Sequence, residues 1–198
     1  GLYHIPMFAA DLLGLLSTIG TGKIHLVGIS LGGCIAYQFA VDYLKSVKTL
    51  TIVNSIPSVN QVSDAMQETF VNRVDIIHKF GMRWMAEGLS ESLFPYPEQI
   101  NLRNTMVERW TENDPQAYIE AFRSLLSWSV EDHLGSIDIP TLIISSDQDT
   151  FPVELKQVYA RSMPDAEMVV IPDAHHFLPM EKPAEFNEAL LAFIERHT

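Results

Sequence analysis

An α/β fold with a mostly parallel sheet flanked by helices is predicted by three observations. Short apolar runs rich in β-branched residues (Ile24-His25-Leu26-Val27, Val47–Val53, Ile139–Ile144 and Glu167–Ile171) alternate with segments of helical periodicity. The runs end in the Gly, Pro, Asn, Asp and Ser residues that make turns. The turn after the first run is Gly28-Ile29-Ser30-Leu31-Gly32-Gly33, followed directly by a helix start of small residues. Strands that alternate with helices in this way lie parallel and are joined by right-handed crossovers.

Residues 2–19 are the first predicted helix. Leu12, Leu13, Leu15, Leu16 and Ile19 supply its apolar face, and Gly20-Thr21-Gly22 stops it. Gly20-Thr21-Gly22-Lys23 reads as a helix stop and turn rather than a phosphate loop. It lacks the P-loop spacing, has no Ser or Thr after the lysine, and precedes its strand instead of following it. A helix from about Leu31 to Leu44 turns Cys34, Tyr37 and Val41 toward the sheet, and Cys34 on such a face reads as core. The second strand, Val47–Val53, ends at Asn54-Ser55 and Pro57.

The character changes over residues 58–133. No strand is predicted there. Helical patterns cover Val62 to Trp84, roughly Pro97 to Thr111, and Pro115 to Trp128, the last opened by Asp114-Pro115 as cap and first turn. The segment holds Trp84, Trp110 and Trp128 as well as Met66, Met82, Met85 and Met106. It is expected to be a helical cap inserted between two sheet strands, lining an apolar pocket. The predicted organisation is a core part at 1–57, the cap at 58–133, and a second core part at 134–198.

In that last part a strand runs into Ser145-Ser146-Asp147-Gln148-Asp149. A helix from Val153 to Ser162 is expected to turn Leu155, Val158 and Tyr159 to one face. The next strand runs into Pro172-Asp173-Ala174-His175-His176, and a final helix from Pro183 packs through Phe186, Leu190, Phe193 and Ile194.

Bulk properties narrow the function classes. At 198 residues and 47% hydrophobic, the chain can bury a core as one globular α/β domain. A net charge of −12 with no basic patch argues against a nucleic-acid partner. No run is long enough to span a bilayer. The single cysteine, Cys34, cannot form an internal disulfide, which is consistent with a reducing, cytoplasmic setting. Adjacent His175 and His176, with no His-Glu-x-x-His or cysteine cluster, offer no metal site, and no cofactor is expected.

Functional groups in parallel α/β sheets gather past the carboxyl ends of strands. Three such ends carry reactive side chains: Ser30, then Asp147 or Asp149, then His175 or His176. The order Ser…Asp…His is the one expected for nucleophile, orienting acid and base on successive crossovers. The turn at Ser30 lifts the hydroxyl to the sheet edge and aims the Leu31 N–H at whatever Ser30 attacks.

Taken together, Gly28-Ile29-Ser30-Leu31-Gly32-Gly33, Ser146-Asp147-Gln148-Asp149 followed by Pro152, and His176-Phe177-Leu178-Pro179-Met180-Glu181-Lys182-Pro183 resemble the α/β-hydrolases. The chain is similar to the branch that holds 3-oxoadipate enol-lactonase and related small carboxylic-ester hydrolases. That resemblance selects Asp149 as the acid and His176 as the base. His175 then stands where the family usually has Gly, and is expected to be structural or pocket-lining. The resemblance implies a serine hydrolase acting on a small or medium ester, lactone or thioester through an acyl-enzyme on Ser30. Ile29, Trp84, Trp128 and Phe177 are the expected pocket residues. The competing expectations are a non-catalytic ligand-binding protein of the same fold and a carbon–carbon bond hydrolase.

The family's second oxyanion donor lies on a loop upstream of the first helix, and Gly1-Leu2-Tyr3-His4 does not resemble it. The expectation is a chain short of the family's early strands by about 60–90 residues. It would have an open sheet edge, an incomplete oxyanion hole and poor activity.

Overall fold

The computed structural model describes residues 3–198, without the side chain of Ala65. Leu2, at the start of the first predicted helix, lies outside the described residues. Two compact units are formed among the described residues, one of residues 3–4 with Val59–Ser127 and one of Ile5–Ser58 with Trp128–Thr198.

The second unit carries the sheet. In chain order it holds α1 (Ile5–Ile19), β1 (Ile24–Ile29), α2 (Leu31–Tyr43) and β2 (Val47–Val53) before the insertion. After it come β3 (Thr141–Ser146), α6 (Val153–Arg161), β4 (Ala166–Ile171), the single turn α7 (Leu178–Glu181) and α8 (Pro183–Arg196). The four strands lie in the order β1-β2-β3-β4, all parallel. Every residue of β3 is buried, as a strand covered on both faces must be. The helices α1 and α2 pack on each other, α2 packs on β1 and β2, and α6 and α8 pack on β3 and β4.

Register brings the strand ends level. Ile29 pairs with Val53, Val53 with Ile144, and Ser146 with Ile171. The residue past each strand then bonds to its neighbour: Ser30 N–H to the Val53 carbonyl, Asn54 N–H to that of Ile144, and Asp147 N–H to that of Ile171. Polar residues that follow the strands are thereby held in one row along the carboxyl edge of the sheet.

The helical unit is built of α3 (Asp64–Leu93), α4 (Ile100–Thr111) and α5 (Pro115–Leu126). Ser63 caps α3 by accepting the Met66 N–H at 3.3 Å, and Asp114 caps α5 by accepting that of Ala117 at 2.8 Å. Helix α3 does not stop at Trp84 as its sequence pattern suggests. It breaks at Gly81 (φ 83°, ψ 174°) and resumes to Leu93. Met82 and Met85 join Val74, Ile77 and Ile119 in this unit's own core. With residues 82 and 85 on the buried face, Trp84 turns outward. It is 51% exposed and lies against Phe80, with 4.8 Å between ring centres.

Residues 128–133, expected within the cap, belong to the sheet unit. Ser58 and Ser129 form an antiparallel bridge, and the Val130 N–H bonds the Pro57 carbonyl at 3.0 Å. Trp128 is buried and donates its indole N–H to Gln38 Oε1 at 2.7 Å. On α6 the buried stripe runs through Lys156 and Tyr159, not through Val158, which is 52% exposed.

The turn after β1 is governed by two glycines. A Cβ on Gly28 would lie 2.3 Å from the Gly32 carbonyl oxygen and 2.8 Å from the Ala36 Cβ. A Cβ on Gly33 would lie 2.4 Å from the Ser55 Cβ. Gly32 meets nothing within 4 Å. Gly28→Ala should therefore cost about 1–3 kcal/mol by overpacking, while Gly32→Ala should leave the unfolding free energy within about 0.5 kcal/mol of the parent. Urea denaturation of the two variants reads this difference, and equal losses would contradict it.

Candidate active site

Ser30 sits between β1 and α2 with φ 51° and ψ −121°. A side chain is strained at such a φ, and the surroundings must hold it there. They do so through the backbone. The Ser30 N–H bonds the Val53 carbonyl at 3.1 Å, and the Ser30 carbonyl accepts from Gly33 N–H at 2.9 Å, Cys34 N–H at 3.2 Å and Ser55 Oγ at 2.7 Å. The side chain is left to make one contact, from Oγ to His176 Nε2 at 2.8 Å. Leu31 opens α2, so its N–H has no acceptor within the helix.

His176 lies in the loop after β4. Its Nδ1 stands 2.5 Å from Asp149 Oδ1. The rings of Phe151 and Phe177 meet it edge-on, with centres 6.2 and 5.3 Å away. Asn54 and Ser146, at the ends of β2 and β3, fix the loop. Asn54 Nδ2 donates to the carbonyls of His175 (3.1 Å) and His176 (2.9 Å), and Ser146 Oγ donates to that of His175 (2.6 Å). The Asn54 side chain also accepts the Ser146 N–H at 2.8 Å.

Of the two acids in the loop after β3, the structure brings Asp149 to His176. Asp147 accepts the Ala174 N–H at 3.2 Å and so braces the histidine loop from below. The Asp149 side chain has no exposed surface. Burial alone would raise its carboxyl, but the His176 hydrogen bond and charge and the Lys156 ammonium outweigh it and hold the carboxyl below the ordinary range. Lys156, on α6, contacts Asp149 Oδ2 and is itself 1% exposed. Burial pulls its ammonium below the ordinary range, and Asp149 opposes that pull.

His175 does not need the conformational freedom of the Gly it replaces. In the loop it is Asp173 that takes the left-handed conformation, with φ 53°. The His175 N–H donates to Glu181 Oε2 at 2.5 Å, and its Nδ1 lies 2.9 Å from Glu181 Oε1. Its imidazole is therefore paired with Glu181, the last residue of α7, while Asp149 is paired with His176.

Of the expected pocket residues, Phe177 lies at His176, and Ile29 packs against the core cluster of Val53, Ile144 and Ile171. Trp128 is engaged with Gln38, and Trp84 stands exposed on α3. Asn54, Ser146, Phe151, Lys156 and Glu181 are site residues that the sequence did not single out. Lys156 did leave a signal, since it falls on the same helical stripe as Tyr159 and Met163, where a charge needs a buried partner. Among the described residues no group of three or more His, Cys, Asp or Glu side chains could hold a metal ion. Cys34 is a buried free thiol, and burial pushes it up to about 11. Among the described residues no helix is long and apolar enough to cross a membrane.

Comparison with known proteins gives the same frame. The family described as alpha/beta hydrolase fold matches residues 1–183. A putative carbamate hydrolase RutD of Stutzerimonas stutzeri is 28% identical over 199 residues, which cover 96% of this chain and 72% of the relative. The 3-oxoadipate enol-lactonase 1 of Acinetobacter baylyi is 24% identical over 191 residues, covering 93% and 69%. Among solved structures, a thermophilic esterase from Thermogutta terrifontis superposes with a TM-score of 0.87 at 26% identity, covering all of this chain and 75% of that one. The chain is a member of the α/β-hydrolase family of enzymes.

Proposed function

We propose that the chain is a serine hydrolase that cleaves a small or medium carboxylic ester, lactone or thioester through an acyl-enzyme on Ser30. The observation that carries this reading is the unbroken contact chain from Ser30 Oγ through the two ring nitrogens of His176 to Asp149 Oδ1, with steps of 2.8 and 2.5 Å. An ionised Asp149 can only accept, so the proton between it and His176 belongs to Nδ1. Nε2 then offers its lone pair to the Ser30 hydroxyl.

The chemistry follows from that proton arrangement. As Ser30 Oγ attacks the carbonyl carbon, its proton passes to His176 Nε2, and Asp149 stabilises the resulting imidazolium. The Leu31 N–H, at the positive end of α2, donates to the oxygen that becomes negative. His176 returns the proton to the leaving alcohol, enol or thiol, and the ester bond breaks. A water then gives its proton to the same nitrogen and attacks the acyl carbon; His176 passes that proton to Ser30 Oγ as the bond from Oγ to the acyl carbon breaks, and the carboxylic acid leaves. Relatives named as a lactonase and an esterase support an ester-type carbonyl. Phe151 and Phe177 are assigned to the apolar wall beside His176. The lone buried thiol of Cys34 supports a reducing compartment such as the cytoplasm.

A fluorophosphonate probe should label the parent chain at Ser30 and leave Ser30→Ala unlabelled. Ser30→Ala should also lose at least about 10³-fold in p-nitrophenyl ester turnover with no change in far-UV circular dichroism. Turnover by that variant at the parent rate would contradict the assignment. Iodoacetamide near neutral pH should leave turnover unchanged, because a thiol at about 11 is almost wholly protonated there. Rapid inactivation with alkylation of Cys34 would point to that thiol instead.

A further inference from the structure

The mechanism above uses one oxygen of Asp149. The other belongs to Lys156, a residue no catalytic motif includes. We infer that Lys156 is a positioning residue of the site, keeping Asp149 an acceptor and dividing the pull of its charge between α6 and His176. This rests on the reading of Ser30, His176 and Asp149 as the reacting set.

The geometry of Lys156 is that of a built socket. An ammonium has three protons, and three acceptors surround this one: Asp149 Oδ2, Ser145 Oγ at 2.8 Å and Asn54 Oδ1 at 3.3 Å. They come from three places, the loop after β3, β3 itself, and the residue past β2. The side chain is 1% exposed and that of Asp149 has no exposed surface. A buried charge of either sign is strongly disfavoured when unpaired, so each is tenable through the other. Chain and site are joined again at Asn54. The same amide whose oxygen accepts from Lys156 donates to the His175 and His176 carbonyls.

The chemical consequence is in the tautomer of His176. A buried carboxyl whose single partner is an imidazole can take up a proton, and a neutral carboxylic acid can donate to Nδ1. The remaining ring proton would then sit on Nε2, facing Ser30 Oγ, where it cannot serve as a base. Lys156 opposes that state by favouring the carboxylate. It also moderates the imidazolium, since a second cation shares the same anion. The groups facing this cluster are few. Lys156 meets Asp149, Ser145 and Asn54. His176 meets Asp149, Ser30 and the rings of Phe151 and Phe177. Beside it, His175 is paired with Glu181.

Removing the lysine charge should act on both partners in the same direction. Asp149 loses a cation that favours its ionised form, and an imidazolium at His176 loses a cation that repels it. Both changes move proton uptake to higher pH. The experiment compares the parent with Lys156→Gln and Lys156→Met. It records the pH dependence of kcat/KM on p-nitrophenyl acetate and, separately, the titration of His176 by ring 15N shifts. In Lys156→Gln the acid limb and the ring titration should both rise by about one pH unit. At neutral pH kcat should fall about two- to fivefold, approaching the tenfold limit of a one-unit shift at lower pH, with KM within about twofold. In an Asp149→Asn background the same substitution should have a clearly smaller effect on kcat and on the ring titration, because only the direct repulsion between the two cations is left to lose. Lys156→Gln, which keeps a hydrogen-bond donor, decides the matter if Lys156→Met does not fold. The inference is overturned if either folded variant melts earlier yet keeps the parent's ring titration, or if the Lys156 effect persists undiminished without Asp149. The ring titration reads Lys156 even in a protein that turns over no ester, so absence of parent turnover would count against the hydrolase reading alone.

Discussion

A carboxylate with no exposed surface is the constraint that the rest of this site satisfies. Asp149 has two oxygens and no water to meet them, so both must be met by donors held in place. His176 meets one and Lys156 the other. Each donor is fixed by a different part of the chain. The histidine loop is tied to the ends of β2 and β3 through Asn54 and Ser146, and the lysine is anchored on α6. The row of Ser30, Asp149 and His176 is therefore less a set of side chains on loops than the edge of a sheet whose strands end level.

That edge is where the chain accepts backbone strain. The three non-glycine residues with positive φ among the described residues are Ser30, Asn54 and Asp173. Each follows the end of a strand, β1, β2 and β4. Asn and Asp visit this region at modest cost, because their short side chains bond locally. Asn54 turns the conformation to use, since its amide reaches the histidine loop on one side and Lys156 on the other. Ser30 lacks that excuse. Its conformation is held by four backbone hydrogen bonds and by Gly28 and Gly33, which allow α2 to begin against β1 and beside Ser55. Strain of this kind clusters at functional sites, which suits the role proposed for Ser30.

Much of this was legible in the sequence because it is carried by local pattern. Strands read as short β-branched runs, helices as periodic ones, and the glycines around Ser30 as a sharp turn. Ser30, Asp149 and His176 could be placed by their order at strand ends, with the family resemblance selecting Asp149 over Asp147 and His176 over His175. What sequence could not convey was pairing across the sheet. Lys156 falls on an inward stripe of its helix, but its acceptors are supplied only by β3, the loop after it and the end of β2. Asn54 reads as a strand end until the histidine loop arrives above it. Trp84 and Trp128 read as pocket residues for their size and apolarity, yet one stands at the surface beside Phe80 and the other is buried with its indole N–H bonded to Gln38. Helix α3 reads as ending at Trp84 because the local pattern weakens there. The chain instead absorbs a break at Gly81 and continues, since Met82 and Met85 secure the second half against α5.

The proposed acylation of Ser30, driven by the proton arrangement that Asp149 imposes on His176, can be read by mixing the protein with excess p-nitrophenyl acetate, quenching on the millisecond-to-second scale, and mapping the peptides by mass. One acetyl group should be found on the peptide that contains Ser30, appearing with the first burst of p-nitrophenol and decaying as steady turnover ends. Turnover with the acetyl group on any other residue, or a burst that leaves Ser30 unmodified, would contradict it.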